Sequence, residues 1–392
     1  MDILDTVVQP YAWGSRTVIA GIQGRSVPSE GPEAELWMGS HPSAPSKLTR
    51  DGQELTLDQV VAADPDGELG RACAERFGGR LPFLMKILAA EKALSIQVHP
   101  DRPRAEAGFA EENARGLVRG EAARNYVDDW PKPEVLCAVT PFEVLAGFRE
   151  PREAARLMRD LEVGRLAPAA GELEATGDLK AVLEQLLNWP ADDREALVGE
   201  VVAACSRVTG PAAYDAVVRM SADHPGDLGL VASLLMRHQV VEPGQALFMA
   251  AGGLHAYIRG TGVELLANSD NVLRAGLTPK HVDVPELLRL VDPAVEVPVV
   301  APRPLGDGVY VYDTPVPEFR LHRIEAGDAE VTLPGEGPRI VLCLTGSAVL
   351  RRAGGESVKL EPSRSCFLPD GDGVVTASGP GELFVAGTGD LA

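Results

Sequence analysis

The chain has 392 residues, 45% hydrophobic and 24% charged, the proportions of a soluble globular protein too long for one ordinary core, so two or three domains are expected. Its formal net charge of −20 disfavours sequence-independent binding to nucleic acid or to an anionic membrane, because both rest on clustered Lys and Arg. No apolar run approaches the ~18 residues of a membrane span, and the first residues are acidic where a signal peptide would be basic. Cys73, Cys137, Cys205, Cys343 and Cys366 are odd in number and form no CxxC pair, a reduced pattern that predicts a cytoplasmic protein.

Up to about Arg149 the chain mixes short β-rich runs, such as ALSIQVH and PEVLCAVTPFEVLAGF, with Gly and Pro punctuation. From about Pro151 to His238 the character changes. Leu183, Leu186 and Leu187, then Leu228, Val231, Leu234 and Leu235, repeat at helical spacing, and Asp227 after Pro225-Gly226 is a candidate helix N-cap. Strand-rich sequence is expected to resume after Gln239. Pro243-Gly244 announces a turn, and the run Gly244-x5-Ala250-x-Gly252-x2-His255 ends one strand, turns on glycines and opens the next with an imidazole. That is the way a cupin barrel presents a metal histidine.

After about Pro285 a third short-stranded region begins, with turns at LPGEGP and RRAGGE. Its segment CFLPDGDGVV repeats the glycine turn but puts Val374 where His255 stands. The expected fold is therefore mainly β with a helical insertion: two cupin (jelly-roll) β-barrels, the N-terminal one metal-binding and the C-terminal one metal-free, plus an α-helical domain. The expected boundaries are 1–150 with 239–285 for the catalytic unit, 151–238 for the helical insertion and 286–392 for the C-terminal unit.

If His255 is a ligand, partners are needed. Gln97 and His99 are two apart, so an extended strand projects them from one face, and Glu134 follows 35 positions after His99. Two imidazoles, a carboxamide and a carboxylate form an N/O set suited to zinc, with manganese, iron or cobalt as alternative occupants. Such a site keeps positive charge and acts as a Lewis acid, which a thiolate-rich structural site does less well.

These segments together resemble the class I mannose-6-phosphate isomerases, also called phosphomannose isomerases. The resemblance runs through PYAWGS (10–15), AELWMGSHPSAPS (34–46), LPFLMKIL (81–88), LSIQVHPD, KPEVL, PGDLG (225–229) and the long run from His255 to Lys280. It implies a zinc-dependent aldose–ketose isomerase that interconverts mannose 6-phosphate and fructose 6-phosphate through a cis-enediol. It also implies Gln97, His99, Glu134 and His255 as the ligands of one zinc ion per chain. The family reads Asn-His-Lys-Pro-Glu before its carboxylate ligand, whereas this chain reads Trp130-Pro131-Lys132-Pro133-Glu134. A histidine sometimes proposed to move protons is thus absent, and Pro131 cannot replace it.

The matched segments also supply the candidates for a phosphosugar pocket. Arg274, Lys132, Lys86 and Lys280 are cations able to bind phosphate or neutralise an enediolate, and a partly buried lysine can drop in pKa enough to take a proton. Lys132 and Asp270 are the proton-transfer candidates. Glu264 is expected to hold Arg274 and Lys132 in place. Ser95 shares the face of Gln97, and Trp13 offers an apolar wall to a sugar. A monomer or weak homodimer is expected. Two rival readings are another metal cupin enzyme, such as an iron dioxygenase, and a non-catalytic sugar-phosphate-binding protein.

Overall fold

In this computed structural model, which describes residues 1–391, the organising element is one long strand, His255–Ala267, that belongs to two leaves of sheet. Its second half pairs antiparallel with Phe83–Ala90 on one side and with Glu134–Ala138 on the other. Its first half pairs with Phe142–Phe148, and at His255 with Gln97 of the short strand Ile96–Val98. The strand changes leaf at Gly260, where φ is +144° and a Cβ would stand 2.7 Å from the Phe142 ring. Only glycine fits such a corner.

Outward from Phe83–Ala90 the first leaf continues through Glu35–Gly39 to Val7–Gln9; outward from Glu134–Ala138 it continues through Ala246–Met249 to Val299–Val300. The second leaf extends through Leu273–Gly276 and Met236–Val241. The pairing joins the leaves along one bent strand and closes no ring among the described residues. Phe83–Ala90 is buried along its whole length, which is why it reads as a continuous apolar run instead of an alternating one.

Alternation sets what each face meets. Ile96, Val98, Ala256, Ile258, Leu273 and Ala275 face away from the interior, and the helical region packs on them in one continuous core. The leucines read at helical spacing are in that core: Leu183, Leu186, Val231, Leu234 and Leu235 are all fully buried. The helices run from Pro151 to Leu235 and the next strand opens at Met236, a few residues before the expected resumption after Gln239. Asp227 does not serve as the N-cap residue. Its carboxylate instead accepts the amides of Gly229, Leu277 and Thr278, tying the helical region to the end of the Leu273–Gly276 strand.

On the other side, Phe83, Met85, Ile87, Val135, Val263 and Leu265 pack against Leu321, Ile340, Leu342, Phe367 and Phe384 of a seven-stranded C-terminal sheet. That sheet's far face shares a second apolar core with a four-stranded sheet. The strand pairing differs from the expected boundaries at two places. Asp2–Leu4 pairs with Ser365–Phe367 in the C-terminal sheet, and Val299–Val300 still belongs to the N-terminal leaf, beyond residue 285. Val374, read in the place of His255, is 65% exposed, and it is Val375 that is buried and opens the strand Val375–Ser378. No helix among the described residues is long and apolar enough to cross a membrane.

Candidate metal centre

Strand register builds the site. In the second leaf Arg274 lies opposite Gln97, Gln97 opposite His255, and His255 opposite Ala146, so guanidinium, carboxamide and imidazole stand side by side on the interior face. His99 follows directly on the Gln97 strand, and Glu134 opens its own strand in the facing leaf. The glycine turn before His255 is tied to His99, because the amide of Gly252, at φ +82°, donates to the His99 carbonyl. All three of His99, Glu134 and His255 are buried, and one donor atom from each comes together within 4.8 Å.

Hydrogen bonds fix the tautomers. His99 Nδ1 is 2.8 Å from the Asn271 carbonyl and His255 Nδ1 is 3.0 Å from the Gly253 carbonyl. A carbonyl only accepts, so each Nδ1 carries the proton and each Nε2 keeps its lone pair for a metal. The bare nitrogens face a carboxylate: His99 Nε2 and His255 Nε2 stand 3.3 and 3.5 Å from Glu134 Oε2, and Gln97 Nε2 is 3.3 Å from His255 Nε2. These approaches have the distances of ion pairs, but the His99 contact is not one. Burial first, reinforced by the Lys132 charge and opposed by Glu134, pushes the His99 pKa down to about 4 and keeps the ring neutral.

The buried His99 Nε2 and Glu134 Oε2 therefore meet lone pair to lone pair with no proton to share, and neither has a hydrogen-bond partner. A cation resolves that repulsion. The separations also match the edge of roughly 3.3 Å in a tetrahedron with ~2.0–2.1 Å zinc bonds. Gln97 joins by turning its carboxamide so that Oε1 faces the same point. Glu134 keeps its charge: burial alone would raise its pKa, but Lys132, whose Nζ is 3.1 Å from Oε1, outweighs burial and holds it well below the ordinary value.

Around this set lies a second buried polar group. Lys86 Nζ is 3.2 Å from Glu264 and 3.5 Å from Glu35, Tyr257 donates to Glu264 at 2.8 Å, and Trp37 donates to Glu35 at 2.6 Å. Two expectations are corrected here. Glu264 holds Lys86 and Tyr257, not Arg274 and Lys132. Lys86 does not drop in pKa either: burial favours its neutral form, but Glu35, Glu264 and Glu134 outweigh burial and hold it above the ordinary lysine value.

Asp270 is engaged as well, by Arg119 at 2.7 Å and His41 at 3.3 Å. Burial would raise it, yet His41, Lys132 and Arg119 keep it below the ordinary range. Arg274, by contrast, is half-buried and makes no hydrogen bond or ion pair among the described residues, and burial lowers its pKa. Lys280 is lowered by burial and by the nearby Arg274 charge. Trp13 stacks on Tyr11 with centroids 5.8 Å apart and packs on the interior apolar cluster, and Ser95 is half-buried just before the Gln97 strand.

Sequence reasoning missed Glu35, His41, Arg119, Tyr257 and Asn271. Tyr257 alone had a local signal, since it lies two after His255 and shares its face. An open depression of about 500 Å³ lined by Val8, Pro10, Arg25, Pro28 and Glu33 includes none of these residues, and its Arg25 is paired with Glu33 at 2.6 Å.

Known proteins are similar to this chain over nearly its whole length. Residues 1–151 match the model of the phosphomannose isomerase type I catalytic domain. Over 389 residues the chain is 37% identical to the mannose-6-phosphate isomerase of Escherichia coli K12, covering 98% of each chain. A crystal structure of mannose 6-phosphate isomerase with zinc bound aligns at a TM-score of 0.91 and 36% identity over 99% of both chains. The crystal structure of a mutant phosphomannose isomerase from Salmonella typhimurium aligns at 0.91 and 35% identity, again over 99% of both.

Proposed function

The chain belongs to the type I mannose-6-phosphate isomerases, and from that premise we propose how its own residues carry the interconversion of mannose 6-phosphate and fructose 6-phosphate. The observation that carries the metal assignment is the meeting of the unprotonated His99 Nε2 with the buried Glu134 Oε2. Gln97, His99, Glu134 and His255 hold one zinc ion. Zinc, when bound, supplies Lewis acidity, drawing electron density from a sugar oxygen and making the carbon-bound proton beside the carbonyl more acidic.

The remaining steps belong to the protein. Isomerisation moves a proton between carbon 2 and carbon 1, and removing it leaves an enediolate, with negative charge on oxygen, that becomes the cis-enediol once that oxygen is protonated. Arg274, without a partner among the described residues and in register beside Gln97, meets that charge, a contribution commonly worth ~3–4 kcal/mol per donor. Lys280 adds positive charge next to Arg274 for the phosphate, against the −20 of the whole chain. Of the two proton-transfer candidates, Lys132 keeps the role: its Nζ, 3.1 Å from Glu134, takes the carbon-bound proton as the amine and returns it to the neighbouring carbon as the ammonium. Asp270 positions: tied to Arg119 and His41, it is a poor proton acceptor. Lys86 and Glu264 support the cleft from within, and Ser95 and Trp13 line it.

We read the two leaves around His255 as a cupin-type jelly roll and the C-terminal sheets as its metal-free counterpart, with the helices between Pro151 and Leu235 as the insertion. An acidic, reduced protein of this kind works in the cytoplasm, as a monomer or weak homodimer, on a phosphosugar and not on nucleic acid or membrane. The iron-dioxygenase and non-catalytic binding readings fall with the family assignment.

One assay tests the whole. Zinc-loaded protein given mannose 6-phosphate forms fructose 6-phosphate in a coupled assay, chelation stops it and zinc restores it, while Arg274→Ala keeps zinc and loses ~10²–10³ in kcat. Turnover that survives complete metal removal overturns the zinc assignment.

A further inference from the structure

We propose that Asn271 is a positioning residue for the metal centre, one amino acid that fixes His99 and the segment carrying Lys132 and Glu134 relative to each other; this rests on the metal reading above. Asn271 is fully buried in the loop between the strands His255–Ala267 and Leu273–Gly276. Its main-chain carbonyl accepts the Nδ1 proton of His99 at 2.8 Å, and so sets both the tautomer and the rotation of that ring. Its side chain does a separate job. The carboxamide oxygen accepts the amides of Val127 at 2.7 Å and Asp128 at 3.3 Å. The carboxamide nitrogen donates to the carbonyls of Asp128 at 2.9 Å and Trp130 at 2.8 Å, and approaches Asp128 Oδ1 at 3.2 Å.

From Trp130 the chain reaches Glu134 through Pro131 and Pro133, whose fixed φ angles leave little slack. A carboxamide is the only side-chain group of this length that both accepts twice and donates twice, so every one of its bonding positions is used. His99 and Glu134 come from parts of the chain 35 residues apart and pair with different leaves, and Asn271 ties the carbonyl that aims one to the clamp that anchors the approach to the other. Moving Asn271 moves both donor atoms at once. Partners of this kind commonly change metal affinity by ~10–100-fold.

The test compares wild type, Asn271→Ala, Asn271→Asp and Asn125→Ala by zinc competition against a chelator, by the visible spectrum of the cobalt-substituted protein, and by thermal melting of the metal-free forms. Asn125 anchors the same connection, donating to Asp283 at 2.9 Å, but bonds neither ligand-bearing segment. The expected result is zinc binding ~10–100-fold weaker and an altered cobalt spectrum in both Asn271 variants, with Asn125→Ala like wild type in both readouts. Asn271 variants that fold, bind zinc as tightly as wild type and give its cobalt spectrum overturn the inference. So does failure of both to fold without metal, which would make Asn271 a residue of the fold alone. A wild-type chain that takes up no zinc would bring down the metal reading first.

Discussion

The two β regions that share the core around Phe83 and Phe384 are built from the same material and filled in opposite ways. Inside the C-terminal pair of sheets the buried face is mostly apolar, with Ile324, Val341, Leu350, Leu360, Val375 and Leu383 in contact and His322 and Arg339 as buried polar exceptions. Inside the N-terminal leaves Lys86, His99, Lys132, Glu134, His255, Tyr257 and Glu264 are all buried. Charges without water cost several kcal/mol each unless partnered, so a polar interior is not how sheets gain stability. Val375 and His255 each open a strand after a glycine turn, one packed among apolar residues and the other beside a buried carboxylate.

The strongest way to break that contrast is His255→Ala. The variant brings the interior of the first region closer to that of the second at one position. Zinc is no longer retained after dialysis, and turnover falls by more than ~10³, since one lost electrostatic donor already costs ~10²–10³ and here the Lewis acid goes. Retained zinc at one equivalent per chain would show that His255 is a core residue and not a ligand.

A smaller effect separates the two interiors by their response to acid. Lys86→Met keeps the length of the side chain but strands Glu35 and Glu264, now 3.5 and 3.2 Å from the ammonium, and the fold loses about 3–5 kcal/mol at neutral pH. Burial already raises the Glu264 pKa against the Lys86 charge, so without that charge its folded value stands further above the unfolded one, and stability returns as pH falls toward 4 and it takes up a proton. Leu350→Ala, in the apolar interior, costs about 3 kcal/mol by opening a cavity, and that cost does not change with pH. Urea titrations at several pH values distinguish the two; a Lys86→Met deficit as large at pH 4.5 as at pH 7 would refute the charge argument.

How much of this was legible in the sequence follows the range of the interactions. Spacing within one strand is local information, and Gln97, His99 and the turn into His255 could be read because each cue lies within a dozen residues. The helical stretch was equally plain from Leu183, Leu186 and Leu187. What sequence could not show is who lies across from whom. Glu264 was given the wrong partners because its register opposite Lys86 is set by pairing over 178 residues of chain. Asn271 was passed over because its role is spoken through its carbonyl as much as its side chain. Asp2–Leu4 crosses to the C-terminal sheet, and Val299–Val300 stays with the N-terminal leaf, since edge pairing leaves no compositional mark.

The last and smallest effect concerns a histidine in the C-terminal sheets. His322 sits in the strand Arg320–Glu325 and is only 6% exposed, with Nδ1 lacking a partner. Burial first, then the Arg320 and Arg303 charges, with Asp313 opposing them, push its pKa down to about 4. In the unfolded chain it titrates near 6.5, so between pH 6.5 and 4 the unfolded state binds more protons and stability is lost as pH falls; above 6.5 none is lost. The full span is worth about 3 kcal/mol, and His322→Gln removes it. His99 is shifted in the same direction, but in the loaded enzyme zinc competes for its Nε2 and acid acts there through metal release. Urea titrations at pH 4.5 and 7, with zinc and with chelator, therefore give a wild-type minus His322→Gln difference that depends on pH and not on zinc. A difference that appears only after chelation would mean the two interiors are coupled through the shared core, and the division between a packing region and a chemical one would have to be redrawn.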